Sequence, residues 1–437
     1  LIMKKLILLL LFIPLVSVAQ SPNIVYILVD DLGYGDLSSY GAIDVKTPVI
    51  DKLASEGKLF TRAYANSNVC SPSRAAILSG NYPDRVGVPG VIRQFEDNDW
   101  GNLSDDFVSL PDELKKSGYK TALIGKWHLG LESPDIPNKK GFDFFKGFLG
   151  DMMDDYNHHL RDGVNWMREN DVEINPKGHA TDLFTQWSVD YINQNKDSKN
   201  PFFLFLNYNA PHSPIQPPKK WLNLVKKREN KADLSRQKLI AFIEHLDNSI
   251  EKVLISLEKN HLIENTIIVF TSDNGGALHH SASNKPLNGG KGNMMEGGIR
   301  VPCIVKWQSV VKPGIVNEPI MLMDFYPTLV NITRKFENLE LPSKNILPLL
   351  ENNVLPYNDR FMVWVRREGH VFGGRAFYAI SDGRYKLLQN SPFEPYVLYD
   401  LNNDPLEKNP INNKKIRNKL QKELTKHIQI SGNIPWQ

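Results

Sequence analysis

Cys70 and Arg74 stand four residues apart in the run Cys70-Ser71-Pro72-Ser73-Arg74-Ala75-Ala76-Ile77-Leu78-Ser79-Gly80. Ser71 suits a helix N-cap, Pro72 the first helical position and Gly80 the stop. The run therefore predicts a short helix with Cys70 at its N-terminus. Free N–H groups and the helix dipole favour an anion there. An arginine one turn along adds a fork of donors matched to sulfate or phosphate. The chemistry described is a nucleophile in a site that holds an anion. The alternative is a disulfide to Cys303, the second of the two cysteines among 437 residues.

Four apolar runs lead into polar clusters. Residues 24–29 end in Asp30-Asp31, and 121–124 run into Gly125-Lys126-Trp127-His128. Residues 202–206 lead to Asn207-Tyr208-Asn209-Ala210-Pro211-His212, and 266–270 to Thr271-Ser272-Asp273-Asn274-Gly275-Gly276. In open α/β sheets ligands bind beyond the carboxyl ends of the strands, so four equivalent clusters predict one shared site. Asp30, Asp31, Asp273 and Asn274 offer oxygen ligands only, a set that suits hard Ca²⁺ or Mg²⁺. Asx turns and helix caps account for the same residues taken singly. Lys126, His128, His212 and Lys291 supply positive charge and proton transfer around a bound anion.

The elements that must position these residues are strands alternating with helices. The four apolar runs lack polar alternation, as expected of parallel strands covered on both faces. Amphipathic stretches lie between them at 48–57, 233–259 and 320–333. The expected fold class is α/β, a mainly parallel sheet sandwiched by helices over residues 20–345. A smaller C-terminal α+β subdomain, 346–437, should carry a short antiparallel sheet from 361–366, 375–380, 385–389 and 397–401, then a helix at 412–428. The 216–237 region, with Pro217-Pro218 and many Lys and Arg, reads as an exposed loop. So do the doublets Asp154-Asp155, His158-His159 and His279-His280.

Composition narrows the classes. The 41% apolar and 23% charged fractions exclude wholesale disorder. A net charge of +3 shows no basic excess of the kind that nucleic-acid binding requires. Two cysteines without a CxxC pair exclude a disulfide scaffold and a thiolate zinc site. Met3-Lys4-Lys5, the apolar run 6–13 and Ser17-Val18-Ala19 read as a secretory signal over residues 1–19, too short for a membrane anchor. Export, with the periplasm before full secretion, is the expected location.

Cys70-Ser-Pro-Ser-Arg74 followed by Leu78-Ser79-Gly80-Asn81-Tyr82-Pro83 resembles the signature of the type I, formylglycine-dependent sulfatases, which have an alkaline phosphatase-like fold. The likeness extends colinearly over about 22 to 410: Asn23–Asp31 with Gly33-Tyr34-Gly35-Asp36, the Gly-Lys-Trp-His-Leu-Gly block at 125–130, Pro211-His212, Asp-Asn-Gly-Gly at 273–276, Lys291 and the Glu-Gly-Gly-x-Arg-Val-Pro block at 296–302. The resemblance implies that a maturating enzyme oxidises Cys70 to Cα-formylglycine. It implies one Ca²⁺, in preference to Mg²⁺, on Asp30, Asp31, Asp273, Asn274 and the modified Cys70. One hydroxyl of the hydrated aldehyde, held towards its alkoxide by the metal and Arg74, would attack sulfur. Lys126, His212 and Lys291 would neutralise the sulfuryl group, His212 or Lys291 would protonate the departing alcohol, and His128 would take the second hydroxyl's proton to release sulfate. Cys303 is then left as a buried free thiol.

The substrate expected from these readings is a sulfated polysaccharide or its oligosaccharides, with marine algal ulvan first and carrageenan and glycosaminoglycans beside it. Residues 151–159, Arg93, Trp100 and Trp166 are rim candidates. A formylglycine-dependent phosphonate or phosphodiester hydrolase and a non-catalytic sulfated-glycan-binding protein are the competing functions.

Overall fold

The computed structural model describes residues 21–93, 103–308, 310–334, 340–352, 360–369 and 374–432. The expected signal segment 1–19 and the rim candidate Trp100 lie outside these residues.

The strands, in chain order, are β1 (Asn23–Val29), β2 (Lys58–Tyr64), β3 (Lys120–Lys126), β4 (Phe144–Phe148), β5 (Leu160–Arg161), β6 (Val164–Asn165), β7 (Met167–Glu169), β8 (Val172–Glu173) and β9 (Phe202–Asn207). After them come β10 (Thr266–Ser272), β11 (Arg300–Lys306), β12 (Gly314–Val316) and β13 (Ile320–Met321). One sheet runs β12-β2-β11-β10-β1-β9-β3-β4-β7-β8, with β13 beside β2, while β5 and β6 pair as a separate hairpin. The five central strands β10-β1-β9-β3-β4 are mutually parallel, and β11 and β7 flank them antiparallel. Both faces of β1 are covered. Ile24, Tyr26 and Leu28 enter one apolar layer, and Val25, Ile27 and Val29 the other.

Helices complete the layers. α1 (Pro48–Glu56), α4 (Ala180–Asn195), α5 (Lys219–Arg228) and α6 (Leu234–Lys259) pack on one face. α2 (Cys70–Ser79), α3 (Leu110–Lys115), α8 (Phe325–Thr333) and α9 (Leu347–Leu350) pack on the other. α7 (Glu296–Ile299) leads into β11. The expected loop at 216–237 is corrected by α5: its Lys side chains are solvent-facing, but Val225 is fully buried and Arg228 pairs with Glu244 and the Asp44 carbonyl, which anchor the helix. α2 also begins earlier than Ser71 as N-cap requires. Val69 is the cap residue, and the Ser71 hydroxyl instead accepts from the Ile92 N–H at 3.0 Å.

An antiparallel sheet of β14 (Met362–Arg367), β15 (Ala376–Ser381), β16 (Tyr385–Gln389) and β17 (Val397–Asp400) follows, and α10 (Lys414–Ser431) packs on it. Its Trp364 indole donates to the Ala65 carbonyl at 2.7 Å. A buried charge cluster also joins it to the large sheet. Lys386 Nζ, fully buried, lies 3.0 Å from Glu296 Oε1 and 2.9 Å from Glu407 Oε1. The Tyr64 hydroxyl donates to Glu296 at 2.8 Å. Removing one partner of such a cluster leaves charge buried without compensation. Lys386→Ala is expected to lower unfolding stability by about 3–5 kcal/mol in denaturant titrations, whereas an exposed control such as Lys422→Ala should stay within about 0.5 kcal/mol.

Candidate active site

The carboxyl ends of β1, β3, β9 and β10 converge. β1 delivers Asp30 and Asp31, β3 delivers Lys126 and then His128, β9 delivers Asn207 and then His212, and β10 delivers Asp273 and Asn274. α2 brings Cys70 and Arg74, and a loop brings Lys291, whose N–H donates to the Gly276 carbonyl at 3.1 Å. Asp31 and His128 both sit in the left-handed region, at φ 65° and 63°. For non-glycine residues that conformation costs about 1–3 kcal/mol each, and it persists because the surrounding contacts fix it. Gly125, at φ 109°, runs so close to β9 that a Cβ would meet the Asn207 carbonyl oxygen at 1.9 Å. That approach lets the Asn207 amide donate to the Lys126 carbonyl at 3.0 Å.

Each buried carboxylate has its own cation. Lys126 Nζ lies 2.5 Å from Asp30 Oδ2, and Lys291 Nζ lies 2.8 Å from Asp31 Oδ2. Arg74 donates to Asp273 Oδ2 from Nε at 3.0 Å and Nη2 at 2.8 Å, and from Nη1 to the Lys126 carbonyl at 3.0 Å. The Cys70 thiol donates to Asp30 Oδ1 at 3.3 Å, and His212 Nε2 is 3.6 Å from Asp31 Oδ2. The ten residues expected from the sequence as nucleophile, cation, imidazole or metal ligand are thus gathered at one end of the sheet.

These neighbours set the ionisation. Burial alone pushes the Asp30 carboxyl up, but Lys126, His212, Arg74 and Lys291 override it and hold it well below the usual carboxylate range. Burial and the Asp30 charge push the Cys70 thiol well above its usual range, so an unmodified Cys70 is a poor nucleophile. Burial lowers the Lys291 pKa, yet the Asp31 charge outweighs that and raises it. Burial, Lys126 and Arg74 hold His128 well below the usual imidazole range. Its Nε2–H donates to the Ile92 carbonyl at 2.8 Å, and its buried Nδ1 has no partner among the described residues. His128 is therefore a neutral imidazole with a free lone pair.

Some supporting residues carry no signal in the sequence. Tyr156 donates to the His212 carbonyl at 2.9 Å, and His212 Nδ1–H donates to the Ser213 carbonyl at 2.7 Å. The rim stretch 151–159 is thereby tied to His212 through Tyr156, and Arg161 ties Asp151 and Asp154 at 3.1 and 3.0 Å. Asn207 and Asn209, in the cluster after β9, each keep a buried Oδ1 without a partner among the described residues. Trp166 packs against both apolar layers, and Arg168 covers its ring.

Residues 22–334 match the family described as Sulfatase, and residues 290–432 the family described as N-sulphoglucosamine sulphohydrolase, C-terminal. Arylsulfatase J of Mus musculus is 34% identical over 329 residues, covering 72% of this chain and 52% of that protein. The chain thus spans about half the length of arylsulfatase J. N-acetylgalactosamine-6-sulfatase of Canis lupus familiaris is 32% identical over 394 residues, covering 84% of this chain and 71% of that protein. The crystal structure of Ps i-CgsB in complex with k-i-k-neocarrahexaose superposes with a TM-score of 0.84 at 31% identity, covering 94% of this chain and 92% of that one. The chain belongs to the sulfatase family. Its fold is accordingly the alkaline phosphatase-like fold of the sulfatases, whose reaction is sulfuric ester hydrolysis.

The sulfatase site fits a hard cation. Asp30, Asp31 and Asp273 are at most 4% exposed, and Asn274 Oδ1 is buried with no partner among the described residues although its amide donates to Asp31 at 2.7 Å. Ligand atoms of Asp30, Asp31, Cys70 and His212 all lie within 4.8 Å of one another. Burial and the Asp30 charge push the Asp273 carboxyl up despite Arg74, the crowding that a divalent cation relieves.

Cys70 and Cys303 are both buried free thiols, and Cys303 is enclosed by β10 and Tyr40, whose hydroxyl accepts from its N–H at 2.8 Å. Neither thiol of the native, unmodified chain should react with Ellman's reagent; in guanidinium the titration should count both.

Proposed function

We propose that this protein is an exported sulfatase that hydrolyses sulfate esters of a sulfated polysaccharide or its oligosaccharides, using Cα-formylglycine made from Cys70 and one Ca²⁺ held by Asp30, Asp31, Asp273, Asn274 and residue 70. The observation that carries the reading is the set of three buried carboxylates around Cys70, each paired with a cation, with His128 and His212 beside it. Bound there, the Ca²⁺ supplies Lewis-acid polarisation of a sulfate oxygen and takes over carboxylate charge otherwise met by Lys126 and Lys291. The hydrated aldehyde supplies two hydroxyls on one carbon, the first for attack on sulfur and the second for release of sulfate.

The chain's own residues do the rest. Arg74 is fixed by Asp273 and the Lys126 carbonyl, so its charge favours an alkoxide at residue 70 without reorganisation. Lys126, Lys291 and His212 neutralise charge that builds on the sulfuryl oxygens, and His212 or Lys291 gives the departing alcohol its proton. His128 accepts the proton of the second hydroxyl at Nδ1, because Nε2–H is committed to Ile92. A maturating enzyme that oxidises Cys70 is part of this proposal. So are a division of the chain near residue 345 and the signal over 1–19 that directs it to the periplasm.

The bound neocarrahexaose of Ps i-CgsB and the name of the N-acetylgalactosamine-6-sulfatases support a sulfated glycan as substrate. Carrageenan therefore joins ulvan among the first candidates. The intact nucleophile and cation set speaks against a non-catalytic glycan binder. Parallel assays on sulfate and phosphonate esters separate the remaining alternative.

Cys70→Ala should lower sulfate release from 4-nitrophenyl sulfate by more than about a thousandfold while leaving the circular dichroism spectrum unchanged. Near-normal turnover in that variant would sink the proposal, and peptide mass analysis reports whether residue 70 is an aldehyde. His128→Ala should cost about 10²–10⁴-fold in kcat. Chelation with EGTA should abolish activity, and added Ca²⁺ should restore it.

A further inference from the structure

Arg366, at the end of β14, is aimed by three contacts. Its Cζ lies 5.1 Å from the centre of the Phe377 ring, and its Nε donates to Glu368 Oε1 at 2.7 Å. Its Nη1 lies against the Gly292 turn, 3.4 Å from where a Cβ on that glycine would stand. The two terminal nitrogens have no hydrogen-bond partner among the described residues, and the side chain is 13% exposed. Glu368, only 1% exposed, accepts from Arg93 Nη1 at 2.9 Å through its other oxygen. One buried carboxylate thus holds two guanidinium groups.

Its surroundings place this cluster beside the reaction centre. Gly292 follows Lys291, and its N–H donates at 2.9 Å to the carbonyl of Asn68, two residues before Cys70. Arg93 follows Ile92, which accepts from His128 and donates to Ser71. The Arg367 N–H donates to the Pro89 carbonyl at 2.9 Å, so β14 is tied to the same loop. Arg366 therefore stands between the Lys291 loop and the His128-supporting loop, on the side of the C-terminal sheet.

We propose that Arg366 determines specificity by receiving a second anionic group of the substrate, a sulfate or carboxylate near the ester being hydrolysed. The proposal rests on the sulfatase reading and deepens it. A planar fork pairs with two oxygens of either group, and stacking on Phe377 with the Glu368 contact leaves little side-chain freedom to lose on binding. Glu368 is a positioning residue, acting through Arg366.

Steady-state kinetics on 4-nitrophenyl sulfate and on carrageenan- and glycosaminoglycan-derived disaccharides test it. The disaccharides carry one sulfate, two sulfates, or one sulfate and a uronate. Arg366→Ala should raise KM for a dianionic sugar by about tenfold or more with kcat within about twofold. The same variant should leave 4-nitrophenyl sulfate and the monosulfated sugar unchanged. Arg366→Lys, which keeps the charge and loses the fork, should recover only part of the affinity. A defect confined to the disulfated sugar identifies sulfate as the second group, and one confined to the uronate sugar identifies carboxylate. An unchanged KM on both dianionic sugars overturns the proposal, as does an equal loss on 4-nitrophenyl sulfate or a wild-type enzyme with no preference for a second anion. Failure of the sulfatase reading itself shows separately, as no sulfate release by the wild-type protein from any of these substrates.

Discussion

Three buried carboxylates, two buried cations and the partly exposed Lys291 meet at one end of a parallel sheet, and the carboxylates persist there only as pairs. An isolated charge in such a place carries a desolvation penalty of several kcal/mol. Asp30 with Lys126, Asp31 with Lys291 and Asp273 with Arg74 meet that requirement, each pair drawn from different elements. The pairing therefore constrains the fold as much as the chemistry. β1, β3, β10 and α2 must end at matched heights, or one charge loses its partner. The same balance prepares the site for its ligands, because a divalent cation competes for the carboxylates and an anionic ester for the lysines and the arginine.

Matching the heights calls for unusual backbone. Asp31 and His128 take left-handed conformations immediately after β1 and β3, turning their side chains back over the strand ends. Contacts on both sides stabilise the turns: the Asp31 N–H donates to Asp273 Oδ1 at 3.4 Å, and the His128 N–H donates to the Leu149 carbonyl at 3.0 Å. Rigid strands thus present the reacting groups, while the irregular residues are held from their neighbours.

Four of the five central strands were legible because both of their faces are buried, which writes them as continuous apolar runs with the site residues at their ends, whereas β4, with the interrupted burial of Phe144–Phe148, was not. The four strands at 362–400 were legible as short runs separated by Gly and Asp turns. What was hidden depends on partners distant in sequence or on short elements. β7 and β8 have three and two residues, too few to show a period. α5 was masked by its basic surface, since only Val225 is fully buried and Trp221 and Leu222 are partly buried beside it. The Ser71 hydroxyl looked like a cap but serves Ile92, a partner 21 positions away that local rules do not see. The support of His212 by Tyr156 spans 56 positions and is likewise tertiary.

The block Glu296-Gly297-Gly298-x-Arg300 shows how a motif without reacting groups can still serve the chemistry. Glu296 is held by Lys386 and Tyr64, which fixes α7 against the C-terminal sheet. From that anchor the Gly298 carbonyl accepts from the Gly275 N–H at 3.0 Å. The two chains are so close that a Cβ on Gly275 would meet the Gly297 carbonyl oxygen at 1.8 Å. Gly275 directly follows Asp273-Asn274, so the glycines pin the turn that presents these two oxygen donors. The C-terminal sheet therefore reaches the reaction centre by two routes: through Lys386, Glu296 and the Gly275 turn, and through the Arg366–Glu368–Arg93 cluster at the rim. A sheet that contributes none of the ten site residues nevertheless helps set where the carboxylates stand and, through Arg366, which substrates approach them.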